Sequence, residues 1–312
     1  KYYFNLNIYG FYVKLVNANK KEENIMLEII EETLIDAIKL LPFLFITYLI
    51  MECIEHKMGE KSKNTIKKSG KLGPIIGSLL GVFPQCGFSV SATNLYAGRV
   101  ITLGTLISVY LSTSDEMLPI FISEAVSPII ILKILGIKLI IGMIAGCLID
   151  LIVNIFRKNK QEKQNEEIGH MCEEGHCHCD ENGVFKSALK HTLNIFLFIV
   201  LITFIINGIV YFVGEETIAS WILNKPVIGP MITSLIGLIP NCAASVIITN
   251  MYLENVISLG SMIAGLLTGA GVGFAVLFKT NNRLKENLGI VILLYIIGAM
   301  SGIIIELLGI MI

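Results

Sequence analysis

Two short stretches interrupt an otherwise apolar chain with groups that could hold an ion: Phe83-Pro84-Gln85-Cys86-Gly87 and Ile239-Pro240-Asn241-Cys242. Proline has no N–H to donate, so it leaves a backbone carbonyl of the preceding turn unpaired. The Gln85 or Asn241 amide offers a second oxygen, and the Cys86 or Cys242 thiol a soft sulfur donor. Ser89, Thr93 and Asn94 follow the first cysteine, and Ser245, Thr249 and Asn250 follow the second, at helical spacing. Such a set can replace the hydration shell of a cation piece by piece. A lone cysteine in an apolar run is a small hydrophobe, the reading that fits Cys53 and Cys147. The repeated pair, Cys86 and Cys242, reads as metal ligands. Serine and threonine also join helices in membranes, a role open to the four hydroxyls here.

Two further clusters carry chemistry. Ser112-Thr113-Ser114-Asp115-Glu116 places adjacent carboxylates inside an apolar run, ahead of Pro119. Each costs roughly 2.5–3.5 kcal/mol at the centre of a membrane helix, so Asp115 and Glu116 are the expected cation ligands or proton carriers. Snorkelling to the outer interface is the alternative. The equivalent stretch of the second half, Thr268-Gly269-Ala270-Gly271-Val272-Gly273, has no charge and enough glycine for unwinding. The third cluster holds His170, Cys172, His176, Cys177, His178 and Cys179 on a polar segment. Thiolate and imidazole favour Zn, Cu(I), Cd or trivalent arsenic over Mn or Mg. The spacing is not that of a zinc finger, so the segment reads as a metal-capturing linker.

The elements that must position these groups are set by composition. Of 312 residues 54% are hydrophobic and only 16% charged, and the net charge is −1. A water-soluble domain carries about a quarter charged residues; this chain lacks the polar skin that water requires, and lipid removes the requirement. Near-neutral charge gives no reason to expect a nucleic-acid partner. Seven cysteines, four of them in apolar runs, are not expected to form a disulfide framework. No tightly bound cofactor, P-loop or signal-peptide cleavage site is expected, and residues 1–25, ahead of Met26, read as a candidate extension.

Apolar runs of helix length fall at about 34–54, 72–98, 100–122, 127–156, 187–213, 227–253, 255–278 and 287–312. Residues 73–105 align without gaps on 229–261, with 17 identities in 33 positions that include Pro, Cys, Ser, Thr, Asn and Tyr. Chance matching of apolar residues does not produce that, so the chain is a duplication. Lysines in 55–71, Arg157-Lys158-Asn159-Lys160 and Lys279 to Lys285 with Arg283 place those loops in the cytoplasm, whereas Glu215 and Glu216 place 214–225 outside. These assignments agree only if runs 72–98 and 227–253 dip into the membrane and return. A kinked continuous span is the competing reading for each.

The expected fold is therefore an all-α polytopic membrane protein. It has two inverted repeats, each with three full spans and one broken re-entrant hairpin, about ten membrane segments in all. The first repeat covers 26–156, a cytoplasmic linker 157–185, and the second repeat 186–312. Broken helices meeting at the midplane are the usual build of a secondary transporter.

The motifs FPQCG (83–87), STSDEMLP (112–119), IPNC (239–242) and TGAGVG (268–273) resemble those of the ten-span heavy-metal exporter family, a relative of the organoarsenical permeases. Some of its members are labelled manganese transporters. The resemblance runs from about Met26 to the C-terminus and implies metal export without fixing the metal. The expectation is then a non-enzymatic transporter in the inner (plasma) membrane that exports a metal or metalloid ion, with protons as the coupling ion. A homo-oligomer is compatible with the sequence. Its rivals are a permease for a small organic or sulfur-containing anion, held at helix N-termini, and a membrane thiol redox protein using Cys86 and Cys242.

Overall fold

The structure, a computed structural model, describes residues 72–83, 86–114, 116–158, 183–213 and 227–310, with scattered helical positions between 30 and 49. Among these residues all regular structure is helical. In chain order the helices are α1 (Gly73–Gly81), α2 (Cys86–Ala97), α3 (Leu103–Ser112), α4 (Met117–Ser123), α5 (Pro128–Lys158), α6 (Gly183–Val213), α7 (Ile228–Gly237), α8 (Cys242–Leu253), α9 (Leu259–Thr268), α10 (Gly273–Thr280) and α11 (Leu284–Leu307). The elements repeat as the sequence does. Helices α2 to α5 start at 86, 103, 117 and 128; α8 to α11 start at 242, 259, 273 and 284, each 156 residues later. The correspondence thus continues past residue 105, where side-chain identity fades.

Four stretches are long and apolar enough to cross a bilayer: Pro128–Ile155, Ala188–Ile205, Leu259–Thr280 and Leu284–Leu307. Three of the four, all but Leu259–Thr280, expose apolar faces in helical stripes. On α5 the stripe includes Ile140, Ile144 and Leu148; on α6 Leu193, Leu197 and Leu201; on α11 Ile292, Ile296, Met300 and Ile304. A stripe of uncovered Leu and Ile four residues apart is unfavourable in water and fits a lipid-facing helix surface. By contrast every residue of α9 is buried, and so is every residue of α3 after Leu103. These two helices form the middle of the molecule.

Packing within each half follows one plan. Glycines on α1 face α3 at matching heights: a Cβ on Gly73 would meet Thr105, on Gly77 Ser108, and on Gly81 Ser112. Helices α1 and α3 are therefore parallel and in register, and the chain between them must return to the level from which α1 started. Helix α5 runs the other way against α3, with Gly146 on Gly104 and Gly142 near Ser108. In the second half Gly237 lies on Gly265, Gly302 on Gly260, and Gly298 on Ala264. Small residues let backbones approach closely, the main route to helix association in lipid.

Run 72–98 is not one rod. Helices α1 and α2 have 9 and 12 residues, so at 1.5 Å per residue they reach about 14 and 18 Å, short of the ~30 Å hydrocarbon layer. Runs 100–122 and 255–278, expected as continuous spans, are also broken. Helix α3 ends where Thr113 turns extended (ψ 132°), and α9 ends at Gly269, followed by Gly271 with φ 52°. The Ser-Thr-Ser run and the glycines supply backbone freedom and local hydrogen bonds that compete with the helix ladder. Residues 55–71, 159–182 and 214–226, which hold many of the loop charges that bear on orientation, lie outside the described residues.

Candidate functional site

The two halves meet through reciprocal contacts: α2 packs on α10, and α8 on α4. Between these contacts Cys86 Sγ lies 3.6 Å from Cys242 Sγ. Each thiol is at the first residue of its helix, half-buried and free of any disulfide. Helix N-termini carry unpaired N–H groups and the positive end of the macrodipole. Two such ends converge here. Among the described residues no group of three or more His, Cys, Asp and Glu forms a metal cage.

The hydroxyls behind the cysteines are tied to their own helices. Ser89 Oγ donates to the Cys86 carbonyl at 2.8 Å and Ser245 Oγ to the Cys242 carbonyl at 2.8 Å. One turn on, Thr93 Oγ1 donates to Ser89 O at 2.7 Å and Thr249 Oγ1 to Ser245 O at 2.6 Å. These bonds satisfy the hydroxyl protons and leave the oxygens as acceptors. Thr93 Oγ1 is also 2.6 Å from the Tyr110 hydroxyl, and both lie 3.3 Å from the Gly273 carbonyl. A Cβ on Gly273 would lie 3.2 Å from Ser89, so Ser89 would have to give by a few tenths of an ångström to admit a side chain there.

The asparagines diverge. Asn94 is buried, accepts from Tyr48 Oη at 3.3 Å, and has no partner for its Nδ2 among the described residues. Asn250 is exposed. Asn241 caps α8 through its Oδ1 and donates to Asn207 Oδ1 of α6 at 2.7 Å; Asn207 in turn donates to Thr33 Oγ1 at 3.2 Å. Pro240 is half-buried beside it. Thr268 is buried and its Oγ1 donates to the Ser234 carbonyl of α7 at 2.8 Å, fastening the end of α9 to α7 just before Gly269. Ser114 is buried, bonded back to the Ser112 carbonyl at 3.2 Å, and Glu116 is half-buried at the start of α4. Pro84, Gln85, Asp115 and the loop residues His170, Cys172, His176, Cys177, His178 and Cys179 lie outside the described residues.

The family described as "Putative, 10TM heavy-metal exporter" matches residues 25–214, well over half of the chain. The chain belongs to this family. No curated protein and no solved structure matches it. As an exporter-family chain it is a multi-pass membrane protein built from helices, in agreement with the fold above.

Three functional candidates of this exporter-family chain escaped the sequence reading. Lys138, in the middle of α5, is completely buried; its Nζ donates to the Thr113 carbonyl and, at 3.0 Å, to the Leu266 carbonyl. A lysine in hydrocarbon costs as much as the carboxylates that were singled out, so the same rule applied to run 127–156 finds it. Asn207 left only a lone amide in an apolar run. The third is a pair linking the α2–α3 turn to the start of α11. Arg99 Nη1 and Nη2 donate to the two Glu286 carboxylate oxygens at 2.7 and 3.3 Å, and Tyr96 Oη donates to the same carboxylate. Their separation of 187 residues left no local signal.

Proposed function

We propose that this chain is a secondary transporter that exports a thiophilic metal or metalloid ion across the cytoplasmic membrane by alternating access, with the ion held between Cys86 and Cys242. The single observation that carries this reading is the 3.6 Å separation of the two thiols. Two thiolates on one tetrahedral ion at about 2.3 Å each stand about 3.8 Å apart. Little movement separates the pair from a bidentate clamp. Sulfur donors select zinc, cadmium, copper(I) or trivalent arsenic over manganese.

Several features support alternating access. Because α5 is antiparallel to α1, α5 ends on the side from which α1 begins. Helix α6, with 31 residues, is long enough to carry the chain across before α7 starts. The two broken hairpins then enter from opposite faces, with Arg157 and Lys158 marking the cytoplasmic one. Inverted halves around a midplane site permit the same site to open to either side. Asp115 and Glu116 follow the break after α3 and are the candidate proton carriers. The Cys/His linker would collect ions on the cytoplasmic side, from which an exporter loads.

The test is flux of zinc, cadmium, manganese and arsenite into inverted membrane vesicles, driven by a pH gradient, for the wild type and for Cys86→Ser, Cys242→Ser and Asp115→Asn. Thiophilic ions should move and manganese should not, and either serine variant should abolish flux. Unchanged cadmium or arsenite flux in both cysteine variants overturns the thiol site. Flux of Asp115→Asn that keeps its full dependence on the pH gradient removes that residue from coupling.

A further inference from the structure

Lys138 has no counterpart in the other half, where the position 156 residues later is Leu294. Its ammonium sits between the ends of two broken helices, one from each repeat. On one side is the carbonyl of Thr113, the extended residue that terminates α3; on the other is the carbonyl of Leu266, in the last turn of α9. Neither helix ladder continues there. The Ala270 N–H, which would bond to Leu266 in an unbroken helix, turns instead to the Thr268 carbonyl at 2.9 Å. The C-terminal ends of helices carry unpaired carbonyls and the negative end of the macrodipole, and two ends aimed at one point make a cation site. In broken-helix transporters such carbonyls coordinate a coupling ion.

We propose that the converging carbonyls of α3 and α9 form a monovalent-cation site that the chain fills with its own Lys138 ammonium. Filling it from within joins the two repeats and frees transport from any need for an external alkali cation. An ammonium suits the place because it brings a full charge and several donors on a flexible stem, and because α5 packs against both α3 and α9. Lys138 is thus a positioning residue: it acts through the two helix ends rather than as part of the proposed ion clamp. The inference shares with that clamp only the premise that the two halves work as one transporter.

Two variants separate a cation site from simple packing. Lys138→Ala removes the charge and opens room for a small ion; Lys138→Met removes the charge but fills the space. The first measurement needs no transported metal: thermal unfolding of the detergent-purified full chain in sodium, methylammonium or N-methylglucamine chloride at equal ionic strength. The wild type and Lys138→Met should unfold at the same temperature in all three salts, whereas Lys138→Ala should be stabilised by sodium or methylammonium over N-methylglucamine. In vesicles, cadmium flux of the wild type should be indifferent to sodium. Flux of both variants without added cation should fall about tenfold or more, as expected when two carbonyls lose a charged donor, and only Lys138→Ala should recover with sodium or methylammonium. The proposal is overturned if no small cation stabilises Lys138→Ala, or if Lys138→Met transports as the wild type does. Absence of cadmium flux in the wild type, with the unfolding pattern intact, would count against the thiol clamp and leave the cation site standing.

Discussion

The first and second halves are built on one plan and differ where charge enters. Both fasten the start of the central helix to the end of the last one. Thr102 caps α3 and donates to Asp150 at 2.6 Å; Ser258 caps α9 and donates to Glu306 at 2.6 Å. Both turn the corner after the second helix with a left-handed residue, Arg99 at φ 58° and Asn255 at φ 59°. Both place a cysteine at the junction. Yet only the first half carries Lys138, Asp115 and Glu116, and only its corner residue reaches across to the other half, where Arg99 pairs with Glu286. Among the described residues the equivalent corner, Asn255, bonds to its own turn, with Nδ2 3.5 Å from the Leu253 carbonyl, and the neighbouring inter-half contact is the Phe121–Tyr252 ring pair. Duplication supplied the scaffold, and divergence supplied the charges.

The largest way to break the comparison is at the point the halves share. Serine at Cys86 or Cys242 should each lower zinc or cadmium affinity by about a hundredfold or more, and the double variant should lose little beyond either single one, because one remaining thiol is no clamp. Equilibrium dialysis checks it; additive losses would mean two independent sites. Next come the paired glycines. A Cβ on Gly146 would lie 2.5 Å from the Gly104 carbonyl, and one on Gly302 2.5 Å from the Gly260 carbonyl. Alanine at each should cost about 1–3 kcal/mol, similar in the two halves, read by thermal unfolding in detergent.

A smaller asymmetry is expected at the capping carboxylates. Asp150 accepts from both Thr102 Oγ1 and the Gly104 N–H at 2.8 Å, whereas Glu306 accepts from Ser258. Replacing Asp150 by alanine should therefore destabilise more than replacing Glu306, each by about 1–2 kcal/mol. The smallest effect belongs to the one-sided ion pair. Arg99 and Glu286 are about a quarter exposed, so a double-mutant cycle should give a coupling of about 1 kcal/mol. Stability is not the sharper readout: loss of the pair should favour opening on the face that carries it, seen as faster alkylation of Cys86 in Arg99→Ala than in wild type.

Much of this was legible in the sequence because the repeat preserves side chains whose chemistry is rare in lipid. Pro84 and Pro240 announced breaks, Cys86 and Cys242 a meeting point, and the thiols do lie against each other. Serines and threonines were harder. Ser89 and Ser245 read as candidate ligands by spacing; their protons also serve the preceding turn, a bond that spacing cannot reveal. Asn94 and Asn250 are identical in type and opposite in burial, since burial depends on what packs against α2 and α8 from elsewhere. Lys138 is readable by the cost of a charge in hydrocarbon, the same rule that picks out Asp115 and Glu116. The Arg99–Glu286 pair was not readable at all, because only folding brings a corner of one repeat to the start of the other's last helix.

The glycine seams have a mechanical consequence. With α1, α3 and α5 held backbone to backbone, and the start of α3 tied to α5 by Asp150, these three should move as a single stiff piece, as should α7, α9 and α11. In the proposed cycle the elements left to move against these pieces are α2 with α10 and α8 with α4, the pairs that bridge the halves. Spin labels on α1 and α5 should keep one fixed separation throughout a transport cycle, while labels on α2 and α5 should report two.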